Sequence, residues 1–535
     1  MPSDLVFING PVFTSDAQRS LAGGVAVTGD RIVAVGSESE MTEHIGPRTE
    51  VVDLAGRLLT PGFQDAHVHP GSSGLDLLRC SLSDATGVAD ALDTIARYAA
   101  QRPDEAWILG SGWSQDWFPG GCPSKELLDA VVPDRPVFLY NSDGHGAWAN
   151  SAALARRGID ATTPDPADGR IERNPDGSPQ GTLHEGAANM VQEVAPADTL
   201  DDVRRGILAG QGYLLSKGIT TWQDAHVDQV THDAYRSLAA SGELRGRAVG
   251  ALWWDRRRGM DQVEQFLEMR SEPEGAYRPL TVKLMLDGVI ENQTASMLQP
   301  YVGGEEADTG IDFIAAGDLN QIVTRLDSLG FSCHFHAIGD AAIRHALDAV
   351  EAAQASNGRG QNRHHIAHIQ VVHPDDIIRF AALGVTANAQ ALWAVDGGYQ
   401  TELTKPVIGP ERSSWQYPFG SLLRAGAALA MGSDWGVSTA NVMAQIDVAV
   451  NRSNWLEPEL PPLNPNERIT LVDGLAGFTS GSAYVNHQEA DSGTIAVGML
   501  ADLVVLDRNP MSDGPIRDTR VAMTIVGGQA VYEED

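Results

Sequence analysis

Two histidines two positions apart, His67 and His69, open the chemistry this sequence could do. On an extended strand residues i and i+2 share one face, so both imidazoles point the same way. A neutral imidazole pair on one face can chelate a divalent ion. The same pair could also be two hydrogen-bonded core histidines. Three further residues, each at the end of an apolar run, have the same character: His336, His368 and Asp434 within Gly432-Ser433-Asp434. Taken singly, a strand-end histidine is an ordinary polar residue, and an Asp before a helix is an ordinary N-cap. Taken together, they offer ligands from different strand ends to a metal site open to water.

Lys283 stands out because the chain holds only four lysines. In TVKLMLD, Val282, Leu284 and Leu286 alternate with Lys283, Met285 and Asp287. If the aliphatic residues face outward, Lys283 points inward, where a bare ammonium is costly and repels a cation. It can pair with Asp287 or another carboxylate. Alternatively, its amine can trap CO2 as a carbamate (N6-carboxylysine), an anion able to bridge two metal ions. The histidines on the neighbouring strands favour the carbamate. His145, in the loop DGHGAWAN, could hydrogen-bond a substrate or a tetrahedral oxygen, or be a structural loop residue. Among the tryptophans that could wall an apolar pocket, Trp113 and Trp435 are the ones retained as substrate-binding candidates.

The elements that must position these groups read as alternating strands and helices. Strands are expected at 61–69, 218–225, 245–253, 281–287, 331–336, 364–369, 384–390 and 428–434, with helices such as 341–353 and 440–452 between them. Eight strands alternating with helices argue for an α/β fold, a (β/α)8 TIM barrel whose site lies at the C-terminal ends of its strands. The span from 72 to 200 is too long for a connection and is expected to hold an inserted subdomain. Its stretch 162–183 reads as a loop or hairpin over the barrel mouth. Short β-rich segments at both ends (4–8, 23–27, 31–36, 493–507 and 521–532) are too small to bury a core alone. They suggest one composite β-sandwich of residues 1–59 and 488–535 around a barrel of residues 60–487.

Composition excludes other classes. Of 535 residues, 42% are hydrophobic and 20% charged, an ordinary globular balance, and the net charge is −33. Such a chain repels phosphate backbones and anionic lipid, so neither nucleic acid nor membrane is an expected partner. The three cysteines (Cys80, Cys122, Cys333) form no CxxC pair, and no signal peptide or long apolar span is evident, so a cytoplasmic location is expected.

The motifs resemble the amidohydrolase superfamily, and within it the YtcJ-like group that includes N-substituted formamide deformylases. The resemblance runs from Pro61-Gly62-Phe63 through His67-Val68-His69, Trp107 to Trp113, Asp143-Gly144-His145, Gly181-Thr182-Leu183 with Glu185, and Lys283 to Gly288 with Thr294-Ala295. It continues through His336 to Asp340, His368-Ile369-Gln370, Gly432-Ser433-Asp434 and the closing segment Gly498 to Asp507. It implies metal ligation by His67, His69, carboxylated Lys283, His336 and His368, with Asp434 as metal-bound acid/base. It also implies one or two divalent ions, zinc favoured and manganese, iron or cobalt as alternatives, a small-molecule amide substrate, and a homodimer. Departures from the group's pattern are Ala367 and Ile369 around His368, and Trp435 after Asp434. His334 shares the inward face but matches no role in the group. The expected reaction is hydrolysis of a non-peptide C–N bond in an N-formyl or N-acyl amine. Esterase, lactonase or phosphoester hydrolase chemistry on the same scaffold is the alternative, and a non-catalytic binding or regulatory homologue the other class.

Overall fold

The computed structural model describes residues 2–303, 308–512 and 514–534. Its largest sheet has eight parallel strands in chain order: β1 (Phe63–Val68), β2 (Ile219–Val227), β3 (Arg247–Trp253), β4 (Tyr277–Met285), β5 (Ser332–Ala337), β6 (His365–His368), β7 (Thr386–Ala389) and β8 (Leu429–Met431). The segment after β8 brings the sheet back to β1. Asp434 N–H donates to the His67 carbonyl at 2.8 Å, and Asn388 Nδ2 on β7 donates to the Ala66 carbonyl at 2.9 Å. Gly432 is required at this seam, because a Cβ there would stand 2.6 Å from His67 N. The result is a nearly closed barrel with helices around it.

The strand pattern explains why the polar residues face inward. Val282, Leu284 and Leu286 join the apolar layer between the strands and the outer helices. Each such side chain contributes about 1.5–3 kcal/mol on burial. Alternation then turns Lys283 inward, with His334 opposite it on β5 and Trp253 opposite it on β3. The expected helices are Asp340–Asn357, burying Ile343, Leu347 and Val350, and Val442–Asn451, burying Val442 and Ile446. Asn441 caps the second by accepting from the amides of Met443 and Ala444.

Both ends of the chain contribute to the flanking sheets. One has four strands, Arg31–Gly36, Gly24–Thr28, Leu5–Ile8 and Glu50–Asp53. The other has six and places Leu503–Leu506 between Leu59–Pro61 and Val521–Val526. Leu5, Phe7, Val25, Leu59, Leu503 and Ile525 form their shared core. Two strand expectations are corrected here. Pro61 belongs to this sheet rather than to β1, because Gly62 N–H turns onto the Asp502 carbonyl before Phe63 joins the barrel. Of 493–507 only Leu503–Leu506 is strand, since Gly493 and Gly498 sit at positive φ and interrupt the ladder.

Between β1 and β2 lies a separate six-stranded sheet: Gly169–Arg173, Pro179–Glu185, Gly146–Ala149, Val137–Asn141, Ile108–Trp113 and Cys80–Ser81. Within 162–183 the first two of these pair as an antiparallel hairpin. Among the described residues no helix is long and apolar enough to cross a membrane.

Candidate metal centre

His67 occupies the inward face of β1, and His69 follows immediately, leading into the helix Pro70–Asp76. His368 ends β6 and Asp434 follows β8, both at positive φ (74° and 54°). Non-glycine residues at such angles are costly unless the surroundings hold them, and they concentrate at functional sites. Here the strain aims both side chains inward. His67 Nε2 and His69 Nε2 each lie 3.3 Å from Asp434 Oδ1, and His368 Nδ1 lies 3.8 Å from Oδ2. The ligand atoms of His67, His368 and Asp434 all fall within 4.8 Å of one another.

These residues fit a divalent cation on a physical ground. Asp434 Oδ1 is buried and has no hydrogen-bond partner, an arrangement that is costly for a carboxylate oxygen. Burial, reinforced by the nearby Lys283 charge, drives the His67 pKa down to about 3, so its ring is neutral at physiological pH. Burial likewise holds His336 and His368 well below the usual histidine range. Neutral imidazole lone pairs around an unpartnered carboxylate repel one another, and a cation among them removes the conflict.

Lys283 is 3% exposed. Burial lowers its pKa to about 7, opposed by the Asp434 charge. The pairing with Asp287 weighed from the sequence does not form. Asp287 instead accepts from the backbone amides of Ser296, Ile338 and Gly339. Among the described residues no carboxylate stands within 4.0 Å of the Lys283 amine. His336 packs against His368 with ring centroids 4.4 Å apart, its Nδ1 3.3 Å from Asp287 Oδ1. His336 thus lies outside the tight His67–His368–Asp434 group.

A sequence model of the amidohydrolase family matches residues 50–532. The chain belongs to the amidohydrolase family. Protein LONG AFTER FAR-RED 3 of Arabidopsis thaliana is 31% identical over 551 residues, covering 99% of this chain and 92% of that one. The N-substituted formamide deformylase of Arthrobacter pascens is 30% identical, covering 99% and 98%. An uncharacterised metal-dependent hydrolase from Pyrococcus furiosus superposes with a TM-score of 0.72 at 26% identity, over 95% of this chain and 100% of that one.

In this amidohydrolase the inserted sheet supplies the second group of polar residues. His145 lies beside His336, ring centroids 5.2 Å apart, and its Nδ1 is 2.8 Å from Glu185 Oε1. Burial opposes charge on His145, yet the Glu185 carboxylate and Asp143 more than reverse this and raise its pKa to about 9. The imidazolium is therefore the form at neutral pH. Glu185 also accepts from Thr294 Oγ1 at 3.0 Å. Gly288 makes room for both, since a Cβ there would meet Thr294 Oγ1 at 2.1 Å. Glu185 was legible only as part of a matching motif. Its position at φ 50°, ψ −122° is what turns its side chain onto His145.

The tryptophans are placed differently from expectation. Trp113 is fully buried in the inserted sheet against Phe118 and Trp148, its Nε1 donating to the Leu139 carbonyl, so it packs that core instead of facing a cavity. An aromatic on a strand looks the same in sequence whichever face it covers. Trp435 is 7% exposed and packs against Tyr213, ring centroids 4.5 Å apart and planes tilted by 30°, and its carbonyl accepts from His69 N–H. It steadies the loop that carries Asp434.

One other grouping has metal-ligand residue types: Cys122, Glu172 and His184. Its partners describe a hydrogen-bond cluster instead. Arg170 Nε bonds Glu172 Oε1 at 2.7 Å, and His184 Nε2 lies 3.2 Å from the same oxygen.

Proposed function

We propose that this amidohydrolase hydrolyses a non-peptide C–N bond in a small N-formyl or N-acyl amine. The observation that carries the reading is the convergence of three imidazoles on the buried, unpartnered Asp434 carboxylate at the C-terminal ends of the strands. His67, His69, His368 and Asp434 would hold the ion, with His336 and Lys283 completing the surround. A bound divalent ion, zinc before manganese, iron or cobalt, supplies Lewis acidity and lowers the pKa of water.

The remaining chemistry belongs to side chains. Asp434 accepts a proton from the attacking water as its oxygen bonds to the carbonyl carbon, then returns that proton to the departing nitrogen as the C–N bond breaks. The products are a carboxylate and an amine. His145, cationic and held by Glu185, stabilises negative charge developing on the substrate oxygen. Lys283, lacking a carboxylate partner, is the group to react with CO2. The ammonium first gives up one proton, and the neutral nitrogen then bonds to the carbon and releases a second, so an anion replaces a cation beside the ion site.

The name of the Arthrobacter relative supports an N-formyl amine. The same donor set could attack a lactone or ester. A screen of zinc- or manganese-loaded protein separates these, using formanilides, N-benzylformamide, N-acyl amino acids, lactones and aryl esters. Turnover confined to the amides supports the proposal. Turnover confined to lactones or esters replaces it, and none on any panel member favours a binding or regulatory homologue.

A further inference from the structure

His334 is the inward-facing histidine that the family resemblance left without a role. It is fully buried, and its Nε2 lies 2.8 Å from His67 Nδ1. On its other side, Nδ1 lies 2.7 Å from Gln223 Oε1 on β2. The line continues through buried side chains only. Gln223 Nε2 donates to Asn486 Oδ1 at 3.1 Å, Asn486 Nδ2 to Gln64 Oε1 at 3.3 Å, and Gln64 Nε2 to Ser492 Oγ at 2.8 Å. Ser492 Oγ then donates to the Gln488 carbonyl at 3.4 Å.

A row of such links has a direction, because each neutral member gives on one side and accepts on the other. The far end is a backbone carbonyl, which can only accept. Followed back from there, Gln223 presents its oxygen to His334, so His334 carries its hydrogen on Nδ1. Gln223 Oε1 also lies 3.1 Å from His365 Nε2, but His365 gives its one ring hydrogen from Nδ1 to the Arg363 carbonyl at 3.0 Å, so His334 is the imidazole that donates to Gln223. His334 Nε2 is then a lone pair and accepts from His67 Nδ1–H. That leaves His67 Nε2 bare, 3.3 Å from Asp434 Oδ1, where a ligand atom must be. If Gln223 faced the other way, His67 would carry its hydrogen on Nε2 and could not ligate through that atom.

We infer that His334 and Gln223 are positioning residues that fix the His67 tautomer for metal binding. A hydrogen-bond partner on the far nitrogen of a ligating histidine sets its tautomer and orientation, and losing it typically weakens metal binding about 10–100-fold. The usual partner is a carboxylate, carbonyl or water. Here a second histidine takes that place and hands the task to an amide anchored beyond the barrel.

The inference rests on the metal reading above, and its test keeps the two apart. Zinc affinity is measured by competition with a chromophoric chelator, and thermal unfolding of the metal-free protein is followed alongside. Gln223→Met preserves length and removes the acceptor. His334→Phe preserves a ring and removes both nitrogens. Both are expected to bind zinc about 10–100-fold more weakly while the metal-free melting temperature stays near wild type. His334→Gln, which can offer an oxygen to His67, is expected to restore most of the affinity. Wild-type affinity in Gln223→Met overturns the inference, as does a His334→Gln variant no better than His334→Phe. Should His334→Phe fail to fold, Gln223→Met still decides. A wild-type protein that binds no zinc overturns the metal reading itself.

Discussion

A carboxylate with one oxygen against two imidazoles and the other near a third can share a cation and still handle a proton. Asp434 is placed that way, so the two functions proposed for it are expected to separate on substitution. Asp434→Asn is expected to keep much of the bound metal while kcat falls by about 10²–10⁴, the usual contribution of a positioned acid/base. Metal analysis beside steady-state kinetics checks this, and wild-type turnover would assign the proton to another group. Lys283→Ala is expected to lose both metal and activity, with partial recovery on adding short carboxylates such as acetate. Full activity without additive would remove the carbamate. At this scale the sequence was informative where residue type alone decides. The structure brings His67, His69, His368 and Asp434 together, and their residue types made that grouping legible because few other side chains offer metal-ligand atoms. His334 and Gln223 could not, because their role depends on which nitrogen meets which oxygen across three strands. Trp113 was misplaced because burial in the inserted sheet leaves no mark that differs from lining a pocket.

Elements place these side chains, and two of them can be perturbed without touching a ligand. The seam between β8 and β1 admits no side chain at Gly432. Gly432→Ala must push against the His67 backbone, and is expected to cost about 1–3 kcal/mol of stability and to weaken metal binding as well. Calorimetry and zinc titration read the two effects, and an unchanged melting temperature would show that the seam is slack. In the hairpin Gly169–Arg173 with Pro179–Glu185, the His184 hydrogen bond, helped by Arg170, holds the Glu172 pKa at about 2 against a normal 4.5. A depressed carboxylate stabilises the fold above its unfolded pKa, and that contribution is lost as pH falls through about 2. Between those limits Glu172→Gln should flatten the fall in melting temperature, by an amount equivalent to roughly 1–3 kcal/mol. An identical pH slope in both proteins would discount the pair. The hairpin itself was readable from its turn residues. The strained backbone at Glu185, which aims it at His145, was not, because nothing in local composition demands a positive φ there.

Over the whole molecule, the alternation of strands and helices announced the barrel, and paired β-rich ends announced the flanking sheets. What the pattern could not show is how firmly the ends are tied in. Leu503–Leu506 fills the gap between Leu59–Pro61 and Val521–Val526, and buried Asp502 pairs with Arg247 on β3 at 2.7 Å. The polar line from His67 ends at Gln488 and Ser492. A chain stopped before residue 488 is therefore expected to be insoluble or molten, as judged by size-exclusion chromatography and near-ultraviolet circular dichroism.

The most direct test of the central claim is elemental analysis of the purified protein, paired with N-benzylformamide hydrolysis before and after chelation. The account predicts one or two divalent transition-metal ions per chain, loss of turnover when they are stripped, and its return on adding zinc or manganese. A folded protein that stays metal-free when offered these ions, or hydrolysis that persists after complete stripping, would contradict it.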